Sequence, residues 1–407
     1  MPNGDPVEWN VGTLRSCITG CTFYDYEMAP SLRIAVNPFA LQKILCKARS
    51  GFVVVLPIGK ALSTKKVSKM NPTPLRFNFV FAFLVFGLLS FPGLMARAQT
   101  CQTSADMDAA TRSAVTNAGQ RYFDMVSKGD VASLKQNSVP SVASDFAGME
   151  ERVKAAQPEL AGARATVKSA FLLDNTQTAP DARAEFYCGV FAKNGQTANS
   201  AAFYFDSLPA GKYAVVLLDA TSPKGRTMFS VLTQQTGSDW KFGNVFIKPA
   251  QIAGHDSDWF LTQARQFKAK GQLHNAWFYY LEARNLISPM PFMSTLATDK
   301  LYDESRAAQP PDLPAGGKTT DLMAGTTSYK VTSVFPDVVG TDLDLIVRYQ
   351  SANVSNTNQA YQDNVAVMKA MVAKYPELRD AFAAVVARAV DATGRDYGTL
   401  LAMKDIR

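Results

Sequence analysis

The chain has 407 residues, 47% hydrophobic and 11% aromatic, enough apolar material for two or three ordinary domains and too much for a disordered tail. Its formal charge is +7, but the excess sits in the first 98 residues, which hold 11 Lys and Arg against 4 Asp and Glu. The remaining 309 residues carry 31 of each sign, so charge gives no support to nucleic-acid binding.

Residues 1–69 have mixed polarity and no sustained period, and read as a non-native or disordered extension. Residues 70–98 read as a cleavable export signal. Lys65, Lys66, Lys69 and Arg76 form a basic approach, an apolar run extends from Phe77 to Phe91, and Ala96, Arg97 and Ala98 supply an A-x-A pattern that places cleavage between Ala98 and Gln99. Met70 stands where such a signal would begin, and is the expected translation start. Asn78 interrupts the apolar run and Pro92 follows it, leaving it short of the roughly 20 residues that span a bilayer. The expected location is therefore secreted or periplasmic, in a bacterial cell envelope; membrane anchoring by an uncleaved segment, residues 77–96, is the alternative.

Of the five cysteines, Cys17, Cys21 and Cys46 precede the signal, leaving Cys101 and Cys188 in the exported part. An even pair in an oxidising compartment suggests one disulfide, with Cys188 as a small buried hydrophobe the alternative. Thr100 before Cys101 departs from the pattern of lipidation signals.

Along the exported part, Ala110, Ala114, Ala118, Tyr122 and Val126 recur every four residues and predict an amphipathic helix from Asp106 to about Lys128. Gly129 and Asp130 end it and cap a short helix through Leu134. Residues 144–163 read as helical or mixed. Alternation then takes over: Ala184, Phe186, Cys188, Val190 and Ala192 share one strand face, and runs at 201–205, 213–219, 227–233 and 240–248 follow, separated by Gly- and Pro-bearing turns, as in an antiparallel meander.

Helices followed by curling strands, with the Gly129–Asp130 pair and a last strand opening on Trp240, resemble the nuclear transport factor 2-like, or cystatin-like, cone over residues 105–250. The resemblance implies an apolar pocket in which some relatives use an Asp or Tyr for proton transfer, and Asp145, Asp174, Tyr187 and Tyr204 are the candidates. Residues 257–306 are helical again, Ser257 being a good N-cap. Ala264, Phe267, Gly271, Ala276, Tyr280 and Ala283 resemble a single tetratricopeptide helix pair, although Pro289 comes one residue late. The resemblance implies a peptide groove lined by Asp258, Leu261, Arg265 and Lys268. One repeat cannot bury its own apolar faces, so the pair is expected to pack on the cone.

Residues 307–320, with Pro310, Pro311, Pro314, Gly316 and Gly317, read as a linker. Residues 326–407 follow as a small ββααβ domain. Its strands are placed near 329–335, 343–349 and 397–403; its helices carry Tyr361, Val365, Met368, Val372 and Tyr375, then, from Pro376, Leu378, Phe382, Val385, Val386 and Ala389. The fold class is thus α+β: an antiparallel curved-sheet cone, a helical hairpin and a C-terminal α/β sandwich.

Gly316, Gly317, Lys318 and Thr319 invite a phosphate-loop reading, which fails because Asp312 stands where the first glycine is needed. His255, Asp256, Ser257 and Asp258 read as a helix start before they read as a metal site. No nucleophile stands in a hydrolase setting. The chain therefore reads as an exported, non-catalytic envelope protein binding another protein or a small apolar ligand, with no metal, cofactor or nucleic acid. The alternative is an isomerase- or hydrolase-like enzyme using the cone pocket; a passive lipid or pigment carrier is a third reading.

Overall fold

The computed structural model describes residues 99–176, 183–193 and 195–407. The extension read over residues 1–69, the segment 70–98 read as an export signal with cleavage after Ala98, and Met70 as the expected start lie outside the described residues. Among the described residues, no helix is long and apolar enough to cross a membrane.

The chain enters as β1 (Thr100–Thr103), followed by α1 (Ala109–Ser127), α2 (Val131–Gln136), α3 (Pro140–Ser144) and α4 (Ala147–Leu160). Asp108 starts α1 by accepting from the Thr111 amide at 2.9 Å, and Asp130 does the same for α2 through Ser133. The buried stripe of α1 is Val115, Ala118, Tyr122, Phe123 and Val126. Ala110 and Ala114, expected on it, are exposed.

The first sheet is antiparallel in the order β1-β2-β5-β6-β7, with β2 Arg164–Asp174, β5 Lys212–Ser222, β6 Gly225–Thr236 and β7 Asp239–Pro249. The sequence reading misses β2, most of whose side chains are exposed or only partly covered. Alternation sorts the central strand: Ala214, Val216 and Leu218 pack against α1, while Tyr213, Val215 and Leu217 face the opposite side. Gly119 sits where helix and sheet meet most closely. A Cβ there would lie 2.6 Å from Val216 Cγ1, so Gly119→Ala is expected to destabilise by about 1–2 kcal/mol despite alanine's better helix propensity. In a denaturant double-mutant cycle the loss should shrink beside Val216→Ala; purely additive losses would contradict the contact.

The expected single meander is corrected here. β3 (Ala184–Cys188) and β4 (Ala201–Phe205) leave it to form a second sheet with β8 (Met293–Thr295), in the order β3-β4-β8. Because β5 pairs directly with β2, residues 183–193 and 195–211 are an excursion across the sheet face, where Phe186 and Phe203 bury against Phe171, Leu173, Val215 and Leu232. Alternation marks which face of a strand is apolar and leaves its partner strand open. Cys101 and Cys188 form a disulfide that joins β1 to the end of β3, with Cα atoms 4.9 Å apart.

The helix pair is α5 (Ser257–Ala269) and α6 (Leu273–Ile287), followed by α7 (Leu296–Arg306). Its N-cap is Asp256, which accepts from the Trp259 amide at 3.1 Å; Ser257 is the first helical residue and donates to the Ala283 carbonyl instead. His255 stacks on Trp259 with ring centroids 3.6 Å apart. Against the expectation from sequence, the pair does not share its main core with residues 105–250. Phe267, Phe278, Tyr279 and Leu286 join one apolar cluster with Leu345, Val367, Met371 and Phe382, and the Tyr279 hydroxyl donates to the Ala381 carbonyl at 2.8 Å.

The C-terminal part is a five-stranded sheet in the order β13-β12-β11-β10-β9, with β9 Thr320–Ala324, β10 Thr327–Val339, β11 Asp342–Gln350, β12 Ala384–Val390 and β13 Asp396–Ala402. Its one long helix is α8 (Thr357–Lys374). The second helix expected from Pro376 is a single 3-10 turn, Pro376–Asp380, after which Val385 and Val386 enter β12, parallel to β11. A continuous apolar run suits a strand buried in a sheet as well as it suits a helix. Residues 307–320 are docked: Ala308 and Leu313 are buried, and Asp312 meets His274 Nε2 at 3.0 Å and accepts from the Tyr375 hydroxyl at 2.9 Å. His274 Nδ1 lies 2.7 Å from Glu377, so one imidazole ties the connecting segment and the 3-10 turn to α6.

Candidate functional site

The structure brings together two of the four pocket candidates, Tyr187 and Tyr204, on the outer face of the small sheet. Inward residues Ala184, Phe186 and Cys188 fill the space between the sheets, so Glu185 and Tyr187 must point out. Register sets Glu185 opposite Tyr204, and the two tyrosine rings meet edge to face at 6.1 Å.

Gly189 ends β3 at φ +63, where a Cβ would meet Ser200 Oγ and Thr103 Cγ2 at 3.2 Å, while Ser200 donates to its carbonyl at 2.9 Å. Val190 and Ala192, expected to continue the strand, therefore fall in the turn. The same turn puts Phe191 outside. Its ring is 81% exposed and lies 5.5 Å from Tyr187. Arg183 stands over the Tyr204 ring at 5.9 Å and pairs with Glu185 at 2.9 Å.

The Tyr187 hydroxyl donates to Glu185 Oε2 at 2.6 Å, and this bond together with partial burial raises the phenol above its usual range. Burial also raises Tyr204. Asp299, on α7, is raised by burial and by neighbouring Asp303, against the pull of the Ser294 hydroxyl. Phenols held up in this way stay protonated at neutral pH and offer hydrogen bonds, not a base. The patch therefore supplies three aromatic surfaces bordered by an acid and a guanidinium, which suits recognition.

Asp145 and Asp174 do not converge on it. Asp145 is exposed at the end of α3. Asp174 closes β2: against the cost of partial burial, the Thr176 hydroxyl and amide, with Lys212, hold its carboxyl below the usual range. The interior that a pocket would occupy is filled by Tyr122, Phe123, Leu134, Phe229 and Phe242, and the Tyr122 hydroxyl donates to the Trp240 carbonyl at 2.6 Å. Of the groove candidates, Asp258 and Lys268 are exposed and Leu261 is half-buried. Arg265 is engaged, donating twice to Glu304 at 2.8 Å, while the Tyr280 hydroxyl donates to the same carboxylate.

Among the described residues no group of three His, Cys, Asp or Glu is placed to hold a metal ion. Phe191, Arg183, Glu185 and Asp299 are missed by sequence reasoning. The available signal was Phe191 itself, an aromatic two residues past a glycine that breaks the strand. Compared with known proteins, the chain matches no family model, no curated protein and no solved structure.

Proposed function

We propose that this is an exported, non-catalytic binding protein of the cell envelope that presents the Tyr187–Phe191–Tyr204 patch to a partner protein. The observation that carries the reading is Phe191, 81% exposed and contiguous with two further aromatics, on a small sheet fastened by a disulfide. Large exposed aromatics in one cluster cost solubility and mark interaction surfaces. The signal-like segment 70–98 and the Cys101–Cys188 pair support export together.

A nuclear transport factor 2-like cone remains our reading of residues 105–250; helices preceding an antiparallel sheet, bulged between Val167 and Ser169 and between Leu232 and Thr233, support it. For α5 and α6 we keep the tetratricopeptide-like reading, supported by the small residues Ala264, Ala276 and Ala283 buried in the pair. An enzyme working in the cone pocket is disfavoured by the aromatic side chains that fill its interior.

The test is capture from the native envelope fraction by wild-type protein and by the Tyr187→Ala/Phe191→Ala variant. Aromatic anchors of this kind carry about 2 kcal/mol, so partner recovery should fall tenfold or more in the variant. Equal recovery by both proteins would remove the patch from the function.

A further inference from the structure

The C-terminal sheet packs one face under α8 and carries a cleft on the other. On β11, Leu343, Leu345, Val347 and Tyr349 enter the core under α8, so Asp342 and Asp344 point to the other side. There, at the end where β10 finishes and β11 and β12 begin, lies a cleft of about 700 Å³ whose walls include Val339, Asp342, Asp344, Leu400 and Ala402.

Asp344 is the anomaly in this cleft. It is only 2% exposed, and its Oδ1 has no hydrogen-bond partner. Among the described residues neither Asp344 nor Asp342 forms an ion pair. Arg379, the nearest committed cation on the wall, spends its guanidinium on the carbonyls of Met403 and Ile406, each at 2.7 Å. Across the strand pair Asp337 stands opposite Asp344, adding like charge and no compensation. The Ala384 amide donates to the carboxylate, but a buried carboxylate with one oxygen unsatisfied and no cation beside it is a costly arrangement, which an apolar residue at this position of a sheet would avoid. Burial, opposed by the hydrogen bond from the Ala384 amide and reinforced by the charges of Asp342 and Asp337, accordingly pushes the Asp344 carboxyl above the usual range.

We propose that this cleft binds a small organic cation, a primary ammonium on a short apolar chain, with Asp344 and Asp342 as its counter-ions and Leu400 and Val339 against the chain. The N–H groups of an ammonium supply both the charge and the donors that Asp344 lacks. Lys404, exposed at the wall and in no ion pair among the described residues, competes with such a ligand and does not hold it. The site shares no residue with the aromatic patch, so the two readings stand or fall separately.

Titration calorimetry of the full chain with n-butylammonium, n-butanol and butyrate decides the matter. Butylammonium should bind saturably at one site, at least tenfold more tightly than either control. Asp344→Asn should weaken it tenfold or more, Asp342→Asn should weaken it several-fold, and Lys404→Ala should leave it unchanged or tighten it. Asp344→Asn should also melt no lower than wild type, since it removes an unpaired buried charge. Absence of saturable butylammonium binding, equal affinity for butanol, or an Asp344→Asn variant that binds as wild type would overturn the proposal. So would a Lys404→Ala variant that loses binding, which would mark an anion site, or an Asp344→Asn variant of lowered melting temperature, which would mark a structural carboxylate.

Discussion

Replacing Cys101 and Cys188 together by alanine is expected to lower the unfolding free energy by about 4 kcal/mol. The pair is 87 residues apart in sequence, and closing a loop of that length removes about 4–5 kcal/mol of chain entropy from the unfolded state in the entropic model. The bond also fixes the small sheet. β3 and β4 have one long-range strand partner, the three-residue β8, and the apolar contact of Phe186 and Phe203 with the larger sheet supplies the rest of their anchorage. Urea unfolding of wild-type protein with and without reductant should reproduce the difference, and the alanine pair should be insensitive to reductant. Identical midpoints in all four experiments would show that the bond is not formed or carries no stability. Loss of the bond should also weaken partner capture, because Tyr187 sits on the strand it holds and Phe191 in the turn that follows that strand.

The second large effect is expected from Glu282 on α6. The side chain is buried and its Oε2 has no hydrogen-bond partner among the described residues. Burial, reinforced by Asp337 and opposed by Asn285 and Lys248, pushes its carboxyl up to about 7. Its folded-state value thus lies above that of the unfolded chain. The stability it contributes is complete below about pH 4.5 and is lost as pH rises through about 7, a change on the order of 3 kcal/mol.

Lys248 lies nearby and works in the opposite sense. Burial pushes its ammonium down to about 8 against the pull of Glu282, while Nζ donates to the Asn285 and Ser288 carbonyls at 2.8 and 3.0 Å. A depressed lysine costs stability as pH falls through about 8, and below pH 7 it is already charged, so between pH 5 and 7 the slope belongs to Glu282. Glu282→Gln should therefore be neutral at pH 5 and stabilising by about 2 kcal/mol at pH 8, measured by urea unfolding at both values. A variant equally displaced at the two pH values, or destabilised at pH 8, would contradict this account.

How much of this was legible beforehand depended on the range of the interaction. Asp130 caps α2 and Gly129 ends α1 because both effects act within one turn of chain. Strands β5, β6 and β7 were found to within a few residues because Tyr213, Val215 and Leu217 alternate with Ala214, Val216 and Leu218 whatever they pair with. The helix stripe was half legible: Ala118, Tyr122 and Val126 are buried as the period requires, whereas Ala110 and Ala114 are exposed and Val115 and Phe123 are buried in their place.

The candidate site was less legible. Tyr187 and Tyr204 could be named as strand residues, but their meeting requires the Glu185–Tyr204 register, and their exposure requires Phe186 to be the inward neighbour. Phe191 became a site residue only through the left-handed turn at Gly189.

The sequence by itself determined the alternation of apolar and polar faces, the helix starts and stops, the α+β class and the availability of Cys101 and Cys188 as a pair. Only the tertiary structure decided that β3 and β4 leave the main sheet, that residues 384–390 are a parallel strand and not a helix, that α6 packs on Phe382 and Met371, and that Asp344 is buried with Oδ1 unsatisfied and no ion pair. The division follows from the physics: caps and periodicities are settled by neighbours a few residues away, whereas strand partners and the burial of a single carboxylate depend on which distant segments exclude water together.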